Sequence, residues 1–174
     1  MSNPPSPTTV GLAKGTALLL SSLSSGIVLS LSTFLVPRLL ESPTPTMLTQ
    51  WQRTYTLGAS TMPFTGLISA AAYFWLGLRA GISGVGGFRG RMYVVAGALT
   101  VGIVPFTVLV MRGTNEKLKV LRERFGLDAK GEQGEVVAEE ERSAKGLVDW
   151  WGVLNLGRAG LLIAGTVCGL VATL

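Results

Sequence analysis

Four stretches of this chain are almost free of charge, and each is long enough to cross the hydrocarbon core of a bilayer. A helix rising 1.5 Å per residue needs about 20 apolar residues for that crossing. The uncharged runs lie near residues 13–36, 57–78, 92–111 and 150–172. In lipid the backbone has no water to bond, so runs of this kind must satisfy their own N–H and C=O groups as helices. The expected fold is all-α. It is a four-helix transmembrane bundle over residues 13–174, with a charged loop at 112–149 between helices three and four. Residues 1–12, with Pro4, Pro5 and Pro7, are expected to form a disordered tail.

Charged residues make up 14% of the chain, against roughly 25% in an average soluble protein. Most of them crowd between Arg112 and Asp149. The net charge of +5 does not point to nucleic acid. A nucleic-acid reader needs a basic stripe on one solvated face, whereas basic and acidic residues alternate through this loop. The small basic excess suits contact with anionic lipid headgroups, so membrane lipid is an expected partner and nucleic acid is not. The chain has no histidine and a single cysteine, Cys168, in an apolar run. Histidine-ligated haem, histidine-based metal sites, Ser-His-Asp catalysis and internal disulfides are therefore excluded, and no metal site is expected.

The first run follows Lys14 and is rich in serine, with Ser21, Ser22, Ser24, Ser25, Ser30 and Ser32 around Gly26. Small residues at such spacings let helices approach closely in lipid. The run exceeds the ~7–15 residues of a signal-peptide core and no Ala-x-Ala site follows it, so it is read as a retained span. Pro37 is expected to end this helix, and Pro43 and Pro45 to keep the next connection extended. Met47–Tyr55 reads as an interfacial turn or the wet start of the second helix, with Pro63 close to where that span begins. The glycine-rich stretch Arg79–Arg91 matches neither nucleotide-binding fingerprint and is expected to be a hairpin. Pro105 is expected to kink the third span. Beyond it, Thr114–Phe125 has helical character, and the part containing Gly126, Gly131, Gly134 and Glu139–Glu141 reads as a solvated loop.

Lysine and arginine counts set the expected orientation. Lys14, Arg79, Arg89 and Arg91 fall on one side, and Arg38, Arg53 and eight residues of the long loop on the other. That excess places loop 112–149 in the cytosol.

Arg158 is the residue that asks for a role, because it lies inside the fourth uncharged run. A charge at such depth costs at least ~2.5 kcal/mol unless it faces the bundle interior or water. Trp151, Asn155, Arg158, Gly165 and Gly169 share one helical face. Thr114-Asn115-Glu116-Lys117 at the end of span three falls on the same membrane side, as do Trp51, Arg53 and Tyr55. Three polar-aromatic clusters can thus converge on one pocket. The alternative is an Arg158 that snorkels to the headgroups and only anchors its helix.

At these residues the chain resembles the anthrone oxygenase-like family of small membrane proteins, frequent in fungal polyketide pathways. The resemblance covers most of the chain. It rests on Gln50-Trp51-Gln52-Arg53-Thr54-Tyr55, on Thr114-Asn115-Glu116-Lys117-Leu118 and on Trp151-x-x-x-Asn155-x-x-Arg158. It implies oxidation of an anthrone to an anthraquinone with O2 and without a flavin, haem or metal, so a lipophilic aromatic compound and O2 are the expected partners. On that reading Arg158 and Asn155 hold the developing oxyanion and Asn115 is a second donor. Glu116 is the candidate general base, Trp51, Tyr55 and Trp151 form flat walls, and Arg53 joins the substrate-binding residues. The resemblance also implies a histidine before span two, where this chain has Thr56 and Ala59. The expected location is the endoplasmic reticulum or another endomembrane, and a homo-oligomer stays open. The competing reading is a non-catalytic four-span scaffold in which Arg158 and Asn155 only tie helices together. A small transporter is a third.

Overall fold

The structure is a computed structural model that describes residues 6–81, 87–127 and 135–174. Four long helices account for nearly all of it. These are α1 (Pro7–Leu40), α2 (Thr44–Ala80), α3 (Gly87–Phe125) and α4 (Glu135–Thr173). No strand occurs among the described residues. All four helices are long and apolar enough to cross a membrane. The most extensive packing follows the ring order α1, α2, α3, α4.

The helices are longer than the uncharged runs alone indicate. α1 starts at Pro7, inside the expected tail, because Ser6 caps it: its Oγ accepts the Thr9 backbone N–H at 3.2 Å, and proline suits the first helical turn. The rest of that tail, residues 1–5, lies outside the described residues. Pro37 does not end α1, which continues to Leu40. A proline ring crowds the carbonyl four residues back, and the helix widens into a π-helical turn at Leu31–Leu35 immediately before it. Pro45 instead helps start α2, which takes in the whole Met47–Tyr55 segment and carries Pro63 in its interior. α3 breaks at Gly102, resumes at Ile103–Phe106, which includes Pro105, and widens at Thr107–Met111. The charged segment is mostly helical. Residues 112–125 are the last part of α3, and Glu139–Glu141 belong to α4, with Arg124 of one paired to Glu140 of the other at 3.2 Å. Gly131 and Gly134 of the expected loop, and Gly84 and Gly86 of the expected hairpin, lie outside the described residues.

The serines of α1 act as cross-links. Ser21 hydrogen-bonds the Tyr73 hydroxyl at 2.9 Å, Ser69 of α2 donates to the Ala17 carbonyl at 2.9 Å, and Ser32 donates to the Gly152 carbonyl of α4 at 2.7 Å. Glycine permits the tightest contacts. A side chain at Gly90 would collide with the Gly81 carbonyl, and one at Gly169 with the Tyr73 ring. α2 and α3 are in contact from the Gly77–Gly90 level up to Gly66, beside Ile103. Past the membrane-facing region, a second core of Leu39, Met47, Leu48, Trp51, Leu118, Val148 and Trp151 locks all four helices together again. Between these two contacts α2 and α3 stand apart, and a cavity opens there.

Candidate active site

The cavity has a volume of about 210 Å³ and draws its walls from all four helices. Leu31 of the widened turn in α1 closes the back. Thr54, Tyr55, Gly58, Ala59, Met62 and Pro63 come from α2, and Ile103, Thr107, Met111 and Asn115 from one face of α3. α4 adds Trp151 and Arg158. Ala59, Val104 and Val108 border it and are themselves exposed, so the mouth opens sideways between α2 and α3. π-helical turns and interior prolines cluster at functional sites because each re-aims the side chains around it, and this cavity is framed by both.

Arg158 enters from α4 with its guanidinium fixed from behind. Its Nη1 donates to Asn155 Oδ1 at 3.1 Å, while Asn155 Nδ2 donates to the Trp151 carbonyl at 2.8 Å. Asn155 is fully buried, so this chain of bonds is held by packing. Among the described residues no carboxylate pairs with Arg158, and its Nε is buried without a partner. The carbonyl of Asn115, a residue 4% exposed, is likewise buried without a donor. The cavity therefore contains one cation without a carboxylate partner and one acceptor without a protein donor, groups that are costly to bury unpaired.

The aromatic residues form a stack behind these polar groups. Trp51, fully buried, lies parallel to Tyr55 with centroids 5.4 Å apart and meets Trp151 edge-on at 6.2 Å. Tyr55 and Trp151 present ring surface to the cavity, whereas Trp51 supports them from the core.

Tyr55, Trp151, Asn115 and Arg158 thus meet at one cavity, with Asn155 and Trp51 directly behind. Two expected residues do not reach it. Arg53 is exposed. Glu116 follows Asn115 and so points about 100° further round the helix. Its carboxylate is exposed and pairs with Lys119 at 3.0 Å. Lys119 is a residue that the sequence reading missed. Its ammonium stands 5.1 Å from the Tyr55 ring centre, a cation–π distance. Thr54, next to Tyr55, was missed too, as were Met62, Thr107 and Met111, although these three could have been reached by steps of three or four residues from Tyr55 and Asn115 along their helices.

Comparison with known proteins bears on the same region. Residues 51–168, which contain the site from Trp51 to Arg158, match the family described as anthrone oxygenase. The chain belongs to the anthrone oxygenase family. It is 36% identical to the anthrone oxygenase of Emericella nidulans over 77% of its own length and 66% of that relative's, just under two thirds. It is 31% identical to the anthrone oxygenase of Paecilomyces divaricatus over 90% of this chain and 92% of the relative. The noranthrone monooxygenase of Aspergillus flavus is 31% identical over 89% of this chain and 70% of its own length. No solved structure matches the chain.

Proposed function

We propose that this protein is a membrane-embedded, cofactor-independent oxygenase that converts an anthrone-type polyketide to an anthraquinone with O2. One oxygen atom of O2 becomes the new ring carbonyl, and the other leaves as water with the two methylene hydrogens. The observation that carries this reading is Arg158, a half-buried guanidinium on the cavity wall with no carboxylate partner among the described residues and with its Nε buried. An anthrone loses a methylene proton to give an oxyanion conjugated through its rings, and that electron-rich anion can pass an electron to O2. A fixed cation aimed at the oxyanion favours the anion over the neutral ketone, and in a water-poor site this is the largest single contribution available to the protein. Asn155 orients the cation, and Tyr55 and Trp151 supply flat walls for a planar ring system.

The donor set of the chain supports chemistry done by the substrate and O2 themselves, since the sequence offers no histidine and one cysteine. The sideways mouth suits a lipophilic substrate arriving through the bilayer. A scaffold role would have every polar group satisfied by close neighbours, which Asn155 is, but Arg158 Nε and Asn115 Oδ1 are not. The lysine and arginine distribution supports an orientation with residues 112–149 on the cytosolic side.

The test is oxygen uptake and quinone formation with emodin anthrone in detergent, against a protein-free blank and Arg158→Ala. Removing one oxyanion-stabilising group costs about 10²–10³-fold in turnover. Quinone formation well above the blank, lost in the variant and insensitive to chelators, is expected. Rates equal to the blank would remove this substrate class.

A further inference from the structure

Several polar groups on the cavity wall are presented to a ligand as hydrogen-bond acceptors. The hydroxyl of Thr107 donates to the Ile103 carbonyl at 2.7 Å, and that of Thr54 to the Gln50 carbonyl at 3.0 Å. Both threonines line the cavity, so what they offer a ligand is oxygen lone pairs. Asn115 offers its carbonyl, buried and unpartnered. Pro63 has no N–H to give the carbonyl of Ala59, another wall residue. The Tyr55 hydroxyl can act either way. Arg158 thus shares the cavity with several acceptors.

A ligand that fits this pattern needs two features. It must place an oxyanion or carbonyl at Arg158, and it must also bring O–H groups of its own for the acceptors. Resting on the oxygenase reading for the reaction, we infer that Asn115, Thr54 and Thr107 are specificity-determining residues that select ring systems bearing free phenolic hydroxyls. A bare tricyclic ketone would bury these acceptors unpaired. A site built to bond a substrate hydroxyl rejects the analogue lacking it by as much as ~10⁴–10⁵-fold. A purely apolar pocket discriminates against it only weakly.

Binding and turnover separate this inference from the oxygenase reading. The probes are 9,10-anthraquinone and 2,6-dihydroxyanthraquinone, whose hydroxyls lie too far from the ring carbonyls to bond them internally. Affinity for the full-length protein in detergent is read from quenching of tryptophan fluorescence, at a pH that keeps the hydroxyls protonated. The expected preference for the dihydroxy compound is on the order of 100-fold or more. Asn115→Leu, and the nearly isosteric Thr107→Val and Thr54→Val, should each shrink that ratio by about tenfold or more. The ratio is the readout, because a variant that merely loosens the fold weakens both ligands alike. Equal wild-type affinities, no binding of either compound, or variants that leave the ratio intact would overturn the inference. Hydroxyl-selective binding without oxygen uptake from any anthrone would sustain it and remove the oxygenase reading. Oxygen uptake that is indifferent to ring hydroxyls would do the reverse.

Discussion

Arg158 shows how much one residue can reveal when its surroundings are uniform. A charge in an uncharged run is visible in the sequence because lipid penalises it, and the structure places it on a cavity wall with Asn155 behind it. The neighbouring roles were less legible. Glu116 and Asn115 are adjacent in the chain, yet one is exposed and the other buried. Lys119 emerged only when α2 was seen to pack its Tyr55 against α3. At this scale Arg158→Lys keeps the charge but loses the planar fork that bonds Asn155. Asn155→Leu keeps the cation but frees it to move. Both are expected to lower kcat by on the order of 10²-fold, the cost of a displacement of about 1 Å in a reacting group. Steady-state anthrone oxidation checks this, and wild-type kcat in both variants would remove Arg158's fixed geometry from the mechanism.

At the scale of elements, the proline and glycine punctuation has two uses that the sequence does not separate. Pro45 starts a helix, as its position allows, while Pro37 and Pro63 lie inside helices and are tolerated there because neighbours hold the helix in place. Whether a proline ends a helix or only bends it is decided by what packs beyond it. Beyond Pro37 that is Leu39, 1% exposed, in the core built around Trp51. That core joins the polar ends of all four helices and closes one end of the cavity. Trp51→Ala should therefore cost about 3–5 kcal/mol of stability, seen as a lower denaturation midpoint in detergent. A midpoint unchanged from wild type would show that the helix ends do not depend on this contact.

For the whole molecule, the four-span plan and the side of the membrane are separate questions. The first follows from run length and the second from the balance of charges across the bilayer. A cysteine placed at the exposed Arg124, in a Cys168→Ser background, should react with a membrane-impermeant maleimide in sealed microsomes without detergent. Reaction only after detergent treatment would reverse the orientation. The sequence by itself determined the all-helical membrane plan, the lack of histidine chemistry and the unusual standing of Arg158, since each depends on residue type and on solvation by lipid. Helix lengths were underestimated because the polar ends of α2, α3 and α4 are stabilised by burying Trp51, Leu118, Val148 and Trp151 against one another, a gain that a hydropathy run does not register. Only the tertiary structure decided where α2 and α3 part, which side chains face the gap and which acceptors remain unpaired. Those outcomes depend on contacts between residues far apart in the chain, and a helix face acquires its meaning from the neighbour that covers it or leaves it open.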